Sequence, residues 1–238
     1  MQLPLTLAPL HSLHIGQPQT LGTPDADNPL ERPWTSAIHK QPVTHSLWLD
    51  WEGLTGDAVA DTKIHGGREK ALLAYHLGHY THWQKVLRQP IGAGGFGENL
   101  TLSDQHESTV CLGDQYQLGS ARIEVSQPRQ PCWKLARRWQ VKDLALQVQD
   151  TGYTGWYFRV LEPGEIAPGQ PLILVARPHP EWTIAHANRV MHRHNHPDEL
   201  RDLAACKALT PGWKKRLSEW AEMSQKPDNR TRLYGPNL

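Results

Sequence analysis

Cys132 carries the strongest chemical signal in this 238-residue chain. It stands in the run Ser126-Gln127-Pro128-Arg129-Gln130-Pro131-Cys132-Trp133-Lys134-Leu135. The two prolines fix φ and remove two backbone donors, so the cysteine is presented from a stiff, extended arm. Arg129 and Lys134 flank it, with Arg137 and Arg138 a little further on, and cationic surroundings favour the thiolate form. A thiolate on a rigid arm suits a nucleophile, or a soft ligand to a metal held beside an anionic cofactor. The bland alternative is a buried cysteine acting as a small hydrophobe.

Two glycine-bearing segments could complete such a site. In Asp61-Thr62-Lys63-Ile64-His65-Gly66-Gly67-Arg68-Glu69-Lys70 the glycine pair permits close approach of a ligand to the backbone. His65 and Lys70 bracket it with donors suited to a phosphate or a pterin-like heterocycle; an ordinary loop with solvated charges is the plain reading. In Gly92-Ala93-Gly94-Gly95-Phe96-Gly97-Glu98-Asn99-Leu100-Thr101 the glycines abandon regular structure before a Glu-Asn pair enters a strand. Asn99 offers both donor and acceptor to the edge of a ring system; a flexible surface loop is the rival.

The elements that must position these residues are mostly short strands with Gly/Pro punctuation. Strands are expected at 10–15, 43–49, 71–75, 100–102, 115–118, 121–125, 156–161 and 171–176, with Gly119-Ser120 as a hairpin turn. Helices are expected near 77–87 and 141–150, and residues 20–33 read as a loop. The pattern suggests a mainly β protein, a barrel with added helices, over residues 1–178. After Arg177-Pro178-His179-Pro180 come three short helical patterns, at 184–191, 199–206 and 213–223, in a second unit over 179–238. Asp198 is expected to cap the second of these and Thr210-Pro211 to start the third. So small a bundle needs to dock on the barrel, and the tail from Ser224 reads as polar and loose.

A formal net charge of +1 gives no nucleic-acid footprint. Three scattered cysteines, at 111, 132 and 206, fit a reducing compartment rather than a disulfide framework. No signal-like leader or membrane-length apolar stretch is evident, so a soluble, cytoplasmic protein is expected. Cys111 and Cys206 read as buried small residues, and Trp133 as part of the pocket wall. His76, His79 and His82 could line one face near Trp83. The run His192-Arg193-His194-Asn195-His196 lacks a familiar zinc spacing and reads as a polar loop.

The ordered set of motifs resembles the MOSC domain, a molybdenum-cofactor-binding family, and within it the YiiM-type bacterial branch. The resemblance runs from Trp34-Thr35 through Lys40-Gln41-Pro42-Val43, Gly53-Leu54-Thr55-Gly56-Asp57, His65-Gly66-Gly67 and Lys70-Ala71. It continues with Phe96-Gly97-Glu98-Asn99-Leu100, Gly113-Asp114, the Ser126–Leu135 arm and Gly152–Trp156, and extends to a C-terminal "3-alpha" domain. It implies a MOSC-type β-barrel holding molybdopterin with Mo, and reduction of N-hydroxylated compounds such as hydroxylaminopurine-type bases. Cys132 falls where it would ligate the metal. Lys40, His65, Gly66, Gly67, Lys70, Glu98, Asn99, Thr101, Ser126 and Arg129 lie in the matched motifs as cofactor-binding candidates. Glu98 or a histidine could also relay protons in catalysis. The chain departs from the pattern at Ser36-Ala37, where a Gly-containing turn is expected, which bears on where Lys40 points.

The implied partners are a small N-hydroxylated substrate and a separate electron-donating reductase, with no nucleic acid and no membrane. The chain has neither iron–sulfur cysteine spacing nor a nucleotide-binding Gly turn of its own. Lys214, Lys215 and Arg216 on the last helix could dock that reductase. Two rivals remain at this level: a non-catalytic carrier of molybdopterin or of a Cys132 persulfide, and a hydrolase using Cys132 with His65.

Overall fold

In the computed structural model, residues 3–62, 65–193, 196–223 and 228–237 are described. The strand Ala121–Pro128 sits in the middle of a nine-stranded sheet and sets its logic. Ala121, Ile123 and Val125 are buried while Arg122 and Glu124 alternate outward, the period-two pattern of a half-buried strand. Gly119-Ser120 turns the chain from Gln115–Leu118 into it, with Leu118 opposite Ala121. On its other edge lies Trp156–Glu162, then Leu72–His76, all antiparallel.

Leu100–Leu102 then joins Leu72–His76 in parallel. Parallel neighbours need a long crossover, and here it consists of the helix His79–Leu87 followed by the glycine-rich loop. Ser12–Ile15 and Gln41–Val43 complete that side, while Pro171–Ala176 and Leu5–Pro9 form the opposite edge. Two register shifts in Ala121–Pro128 bend the sheet. The result is a curled half-barrel with seven helices among the described residues, the mainly β class with added helices that the sequence suggests.

Several boundaries differ from expectation. The stretch 43–49 is two strands in different sheets: Gln41–Val43 pairs with Ser12–Ile15, whereas Leu47–Asp50 pairs with Gly164–Ile166 and Gly53–Leu54. Gln19–Leu21 is a strand paired with Trp34–Ser36, so the loop begins later than expected. A helix at Lys134–Trp139, unforeseen in the sequence, precedes Leu144–Thr151 and ends at Gln140 in the left-handed region. The helix Pro197–Ala205 has His196, not Asp198, at its N-cap; Asp198 lies in the first turn and accepts from Arg201 at 2.8 Å. Thr183 caps Ile184–His192 by accepting from His186 N.

The helices Ile184–His192, Pro197–Ala205 and Pro211–Met223 do dock. Trp182, Val190, Leu203, Trp213, Leu217 and Trp220 share one buried apolar cluster with Tyr116, Val125 and Phe158 of the sheet. Thr210 Oγ1 donates to Gln127 Oε1 at 2.8 Å, and Arg159 Nη2 donates to Ala208 O at 2.8 Å, tying the two units across their seam. A second cluster, with Trp34, Tyr75, Trp83, Phe96, Leu135 and Leu144, lies under the Cys132 arm. The tail is not loose throughout: Arg230–Tyr234 is a short helix with Leu233 buried.

Candidate cofactor-binding site

The central strand delivers the Cys132 arm. Its last paired residue is Pro128, opposite Trp156, and Arg129 N donates to Gly155 O at 3.0 Å as the chain leaves the sheet. Gly155 sits at φ 73°, and a Cβ there would fall 2.3 Å from Ala74 O, so glycine lets the residue that accepts from the arm lie against the strand Leu72–His76. Cys132 is half-buried and lines a cavity of about 640 Å³. The walls come from segments distant in sequence: 36–40, 50–62, 65–71, 96–99 and 129–134, with Tyr157 from the next strand.

Of the sequence candidates, Lys40, His65, Gly66, Gly67, Lys70, Asn99, Arg129 and Cys132 line this cavity together. Arg129 is only 6% exposed, and its Nη1 has no hydrogen-bond partner among the described residues. The buried Gln130 Nε2 is likewise unpartnered there, although Gln130 Oε1 accepts from Arg216 at 3.1 Å. Leaving a buried donor unsatisfied is costly, so such groups mark a place for an acceptor. Burial, reinforced by Lys134, Lys70 and Arg129, pushes the His65 imidazole down to about 4. His65 is therefore neutral near pH 7, held so mainly by burial, and the cations around it make the wall ready for an anion. Burial also lowers Lys70, against the pull of Asp61.

Lys40 points into the same space despite Ser36-Ala37. Its ammonium pairs with Asp57, a residue the sequence analysis did not single out as functional. Asp57 Oδ1 also accepts from Gly16 N at 2.7 Å, and its Oδ2 accepts from Asn99 Nδ2 at 2.8 Å. Burial lowers the Lys40 pKa and Asp57 counters it. Asn99 further accepts from Leu73 N at 3.1 Å and donates to His14 O at 3.2 Å. Its amide is thus committed to the protein, fixing the cavity floor rather than offering a free edge to a ring.

Glu98, Thr101 and Ser126 lie outside the lining. Glu98 is fully buried and accepts from Gly94 N at 2.7 Å, Phe96 N at 3.1 Å, Thr101 Oγ1 at 3.0 Å and the Tyr80 hydroxyl. This carboxylate staples the glycine-rich loop from within, in place of the proton-relay and cofactor contacts expected of it, and Thr101 serves the same staple. Gly97, at φ 78°, lets that loop press on Ile38, whose Cγ1 is 2.7 Å from where a Cβ would be. Ser126 Oγ donates to Glu69 O at 2.6 Å, holding the turn that carries Lys70 to the sheet.

Trp133 turns away from the cavity and packs against Trp34, Arg137 and the C-terminal segment. Arg137 and Arg138 also leave the thiol. Arg137 Nη1 donates to Arg32 O at 2.8 Å, and Arg138 donates to Ile38 O. Cys111 and Cys206 are buried, and burial with Asp114 pushes the Cys111 thiol up to about 11. His79 stacks on Tyr153 and lies 2.6 Å from Glu107 Oε2, at a separate cavity of about 590 Å³ beside the Ile184–His192 helix. His76 and His82 edge onto His79 and Trp83 rather than onto the Cys132 site. His194 and Asn195 of the histidine run, and Lys63 and Ile64 of the glycine-pair motif, lie outside the described residues. Among the described residues no group of three or more His, Cys, Asp or Glu side chains is arranged to hold a metal.

Tyr157 and Gln130 are among the lining residues the sequence reading missed, as are Asp57 and the stretch 58–60. Tyr157 alternates with the buried Trp156 and Phe158 and pairs in register with Gln127, so its phase on the strand was the available signal.

A curled sheet with a thiol-bearing arm over a cation-lined cavity, and three helices docked on that sheet, defines a class of protein that the comparisons identify. Residues 61–173 match the model of the MOSC domain, and residues 182–220 match that of the YiiM-like, 3-alpha helix domain. Uncharacterized protein YflK of Bacillus subtilis is 40% identical over 85% of this chain and 90% of its own. A protein named Reductase from Gibberella moniliformis is 36% identical over 74% of this chain, which spans 31% of that protein. The crystal structure of YiiM from Geobacillus stearothermophilus, 35% identical, covers 90% of this chain and 98% of its own with a TM-score of 0.75. The chain belongs to the MOSC-domain family, in the YiiM-like branch that carries the 3-alpha domain.

Proposed function

We propose that this protein is a molybdenum-cofactor-dependent reductase of N-hydroxylated compounds. The observation that carries the proposal is the buried, unpartnered guanidinium nitrogen of Arg129 in the cavity that Cys132 lines. Arg129 is suited to a phosphate by its planar fork of donors, and Gln130 Nε2 offers a further donor. Lys70 and Lys134 supply neutralising charge, and Cys132 is a soft sulfur ligand for a thiophilic metal. The donor set therefore fits a phosphorylated pterin dithiolene. When bound, that group would supply the two-electron redox chemistry, converting R–NH–OH, two electrons and two protons into R–NH2 and water.

The protein's part is placement. Neutral His65 accepts hydrogen bonds without adding charge to a wall already held by three cations. The Lys40–Asp57 pair and the committed Asn99 amide keep the floor rigid, and half-burial of Cys132 limits water at the thiol. The two electrons come from a separate reductase, since three cysteines, two of them buried, cannot ligate an iron–sulfur cluster. The docking face assigned to Lys214–Arg216 needs revision. Arg216 is spent on Gln130, Lys214 donates to Lys207 O at 3.2 Å, and of the three only Lys215 is exposed. No helix among the described residues is long and apolar enough to cross a membrane, and three free cysteines suit a reducing cytoplasm.

The test is purification under conditions that retain cofactor, followed by metal and pterin analysis and an assay of hydroxylamine-type substrates with a small artificial reductant. Stoichiometric Mo with turnover is the expected result. Mo and pterin without turnover would favour the carrier reading, and a metal-free, pterin-free protein from a cofactor-competent host would overturn the proposal.

A further inference from the structure

The C-terminal segment 228–237 lies beyond both matched domains, 61–173 and 182–220, yet it converges on the two peptide groups that flank Cys132. Arg232 Nη1 donates to Pro131 O at 2.5 Å, the carbonyl of the peptide before the cysteine. Arg232 O accepts from Trp133 N at 2.8 Å, the amide of the peptide after it. One residue, a hundred positions away, thus grips Cys132 from both sides, once with its side chain and once with its backbone.

The grip is itself anchored. Arg232 Nη2 donates to Gln149 Oε1 at 2.5 Å on the helix Leu144–Thr151. Asn237 Nδ2 donates to Trp133 O at 3.1 Å, and Asn237 Oδ1 accepts from Arg137 Nε at 2.7 Å. Gly235, at φ 50°, lies so close to Trp133 that a Cβ would fall 2.4 Å from its Cδ1. Leu233 is buried beside these contacts. Pro128 and Pro131 stiffen the arm but donate nothing, so its position depends on partners supplied from elsewhere. Near neutral pH the Arg232 guanidinium stays charged even though burial and Arg216 lower its pKa to about 10.

We infer that Arg232 is a positioning residue for Cys132, and that the segment 228–237 is a strap that holds the thiol arm in its working place. The inference deepens the proposed reductase reading by adding a residue that never touches substrate yet sets where the thiol stands. A thiol displaced by about an ångström loses much of its catalytic value, since misplacement on that scale costs on the order of 100-fold.

The test follows hydrogen exchange of the Trp133 amide in the full-length protein as purified, wild type and variants. In wild type this amide should be protected. In Arg232→Ala it should exchange at least tenfold faster, while amides of the central strand at Ile123 and Val125 keep their rates. Gly235→Ala should release the same amide with Arg232 still present. Arg232→Lys keeps one donor for Pro131 O but cannot also reach Gln149 with a planar fork, so it should restore protection in part. In cofactor-loaded protein, kcat should fall about tenfold in Arg232→Ala with KM within twofold. An unprotected Trp133 amide in wild type overturns the inference without any variant. So does Trp133 exchange within twofold of wild type in both Ala variants, or a rise shared equally by the central strand. The exchange measurements do not depend on molybdenum, so they judge the strap even if the reductase reading fails.

Discussion

Arg129→Ala separates a ligand-binding arginine from a structural one. In the folded protein the side chain is almost fully buried, but its Nη1 has no partner among the described residues, and its backbone amide bond to Gly155 O survives the substitution. The variant loses two methylenes of stem, worth about 1.6 kcal/mol at roughly 0.8 kcal/mol each. Against that, it removes one of the three cations crowded around His65. Melting of the cofactor-free protein should therefore move little. Cofactor retention should suffer far more, because a charge-assisted hydrogen bond to phosphate is worth about 1.5–3 kcal/mol, or about tenfold to a hundredfold in affinity. Arg129→Lys keeps the charge without the planar fork and should fall between the two. The assay is pterin per folded protein after gel filtration under dilution, alongside the His65 titration in cofactor-free protein. His65 should titrate above about 4 in the variant, since one of its three cations is gone. Unchanged pterin occupancy with a shifted His65 titration would mean that Arg129 faces the wall but not the cofactor. A collapse in melting temperature would mean that Arg129 is a fold residue, and the assignment would fail.

Cys132→Ser should leave the sheet intact and abolish metal-dependent turnover, because a hydroxyl replaces a soft sulfur; near-normal turnover of folded, cofactor-loaded variant would refute the ligand role. Stability of the cofactor-free protein should fall as pH drops from about 6.5 toward 4. The depressed His65 binds its proton more readily unfolded, so acid favours unfolding by on the order of 2–3 kcal/mol. Denaturant melts at pH 7, 5.5 and 4.5 check this, and His65→Gln should flatten the slope. Trp213→Ala should destabilise the whole protein by about 3–5 kcal/mol, in one transition, because Trp213 belongs to the apolar cluster shared with the sheet. Calorimetry resolving two transitions, with only the helical one shifted, would contradict that shared core.

What the sequence revealed and what it concealed follows from the range of the interactions involved. The Cys132 arm was legible because its determinants are contiguous: two prolines, the thiol and neighbouring cations. The period-two burial of Ala121, Ile123 and Val125 likewise lies within one strand. Lys40 was uncertain because its partner, Asp57, comes from another segment, and no local pattern announces a pair made across a cavity. Glu98 misled for the same reason. A carboxylate beside an asparagine in a glycine-rich loop looks available, and only the folded loop shows four donors converging on it. The split of 43–49 could not be read from hydropathy, since Val43 and Leu49 are both buried but belong to different sheets. The tail was hardest. Leu233 is its one buried apolar side chain among the described residues, and its remaining contacts are polar bonds to the arm and its neighbours.

That last arrangement has a consequence for the order in which the molecule is made. Translation produces the thiol arm about a hundred residues before the segment that grips it. While the helical unit is still inside the ribosome, the peptides on either side of Cys132 lack the partners that fix them. The sheet can close early, as its strands are all encoded by Ala176. The fully braced thiol exists only in a chain made through the segment 228–237. A product cut short before residue 228, by premature termination or by a protease, would keep every motif that lines the cavity and still present its sulfur unsecured. Synthesis past the helical unit, as far as the strap, is thus written into the geometry of the reactive site.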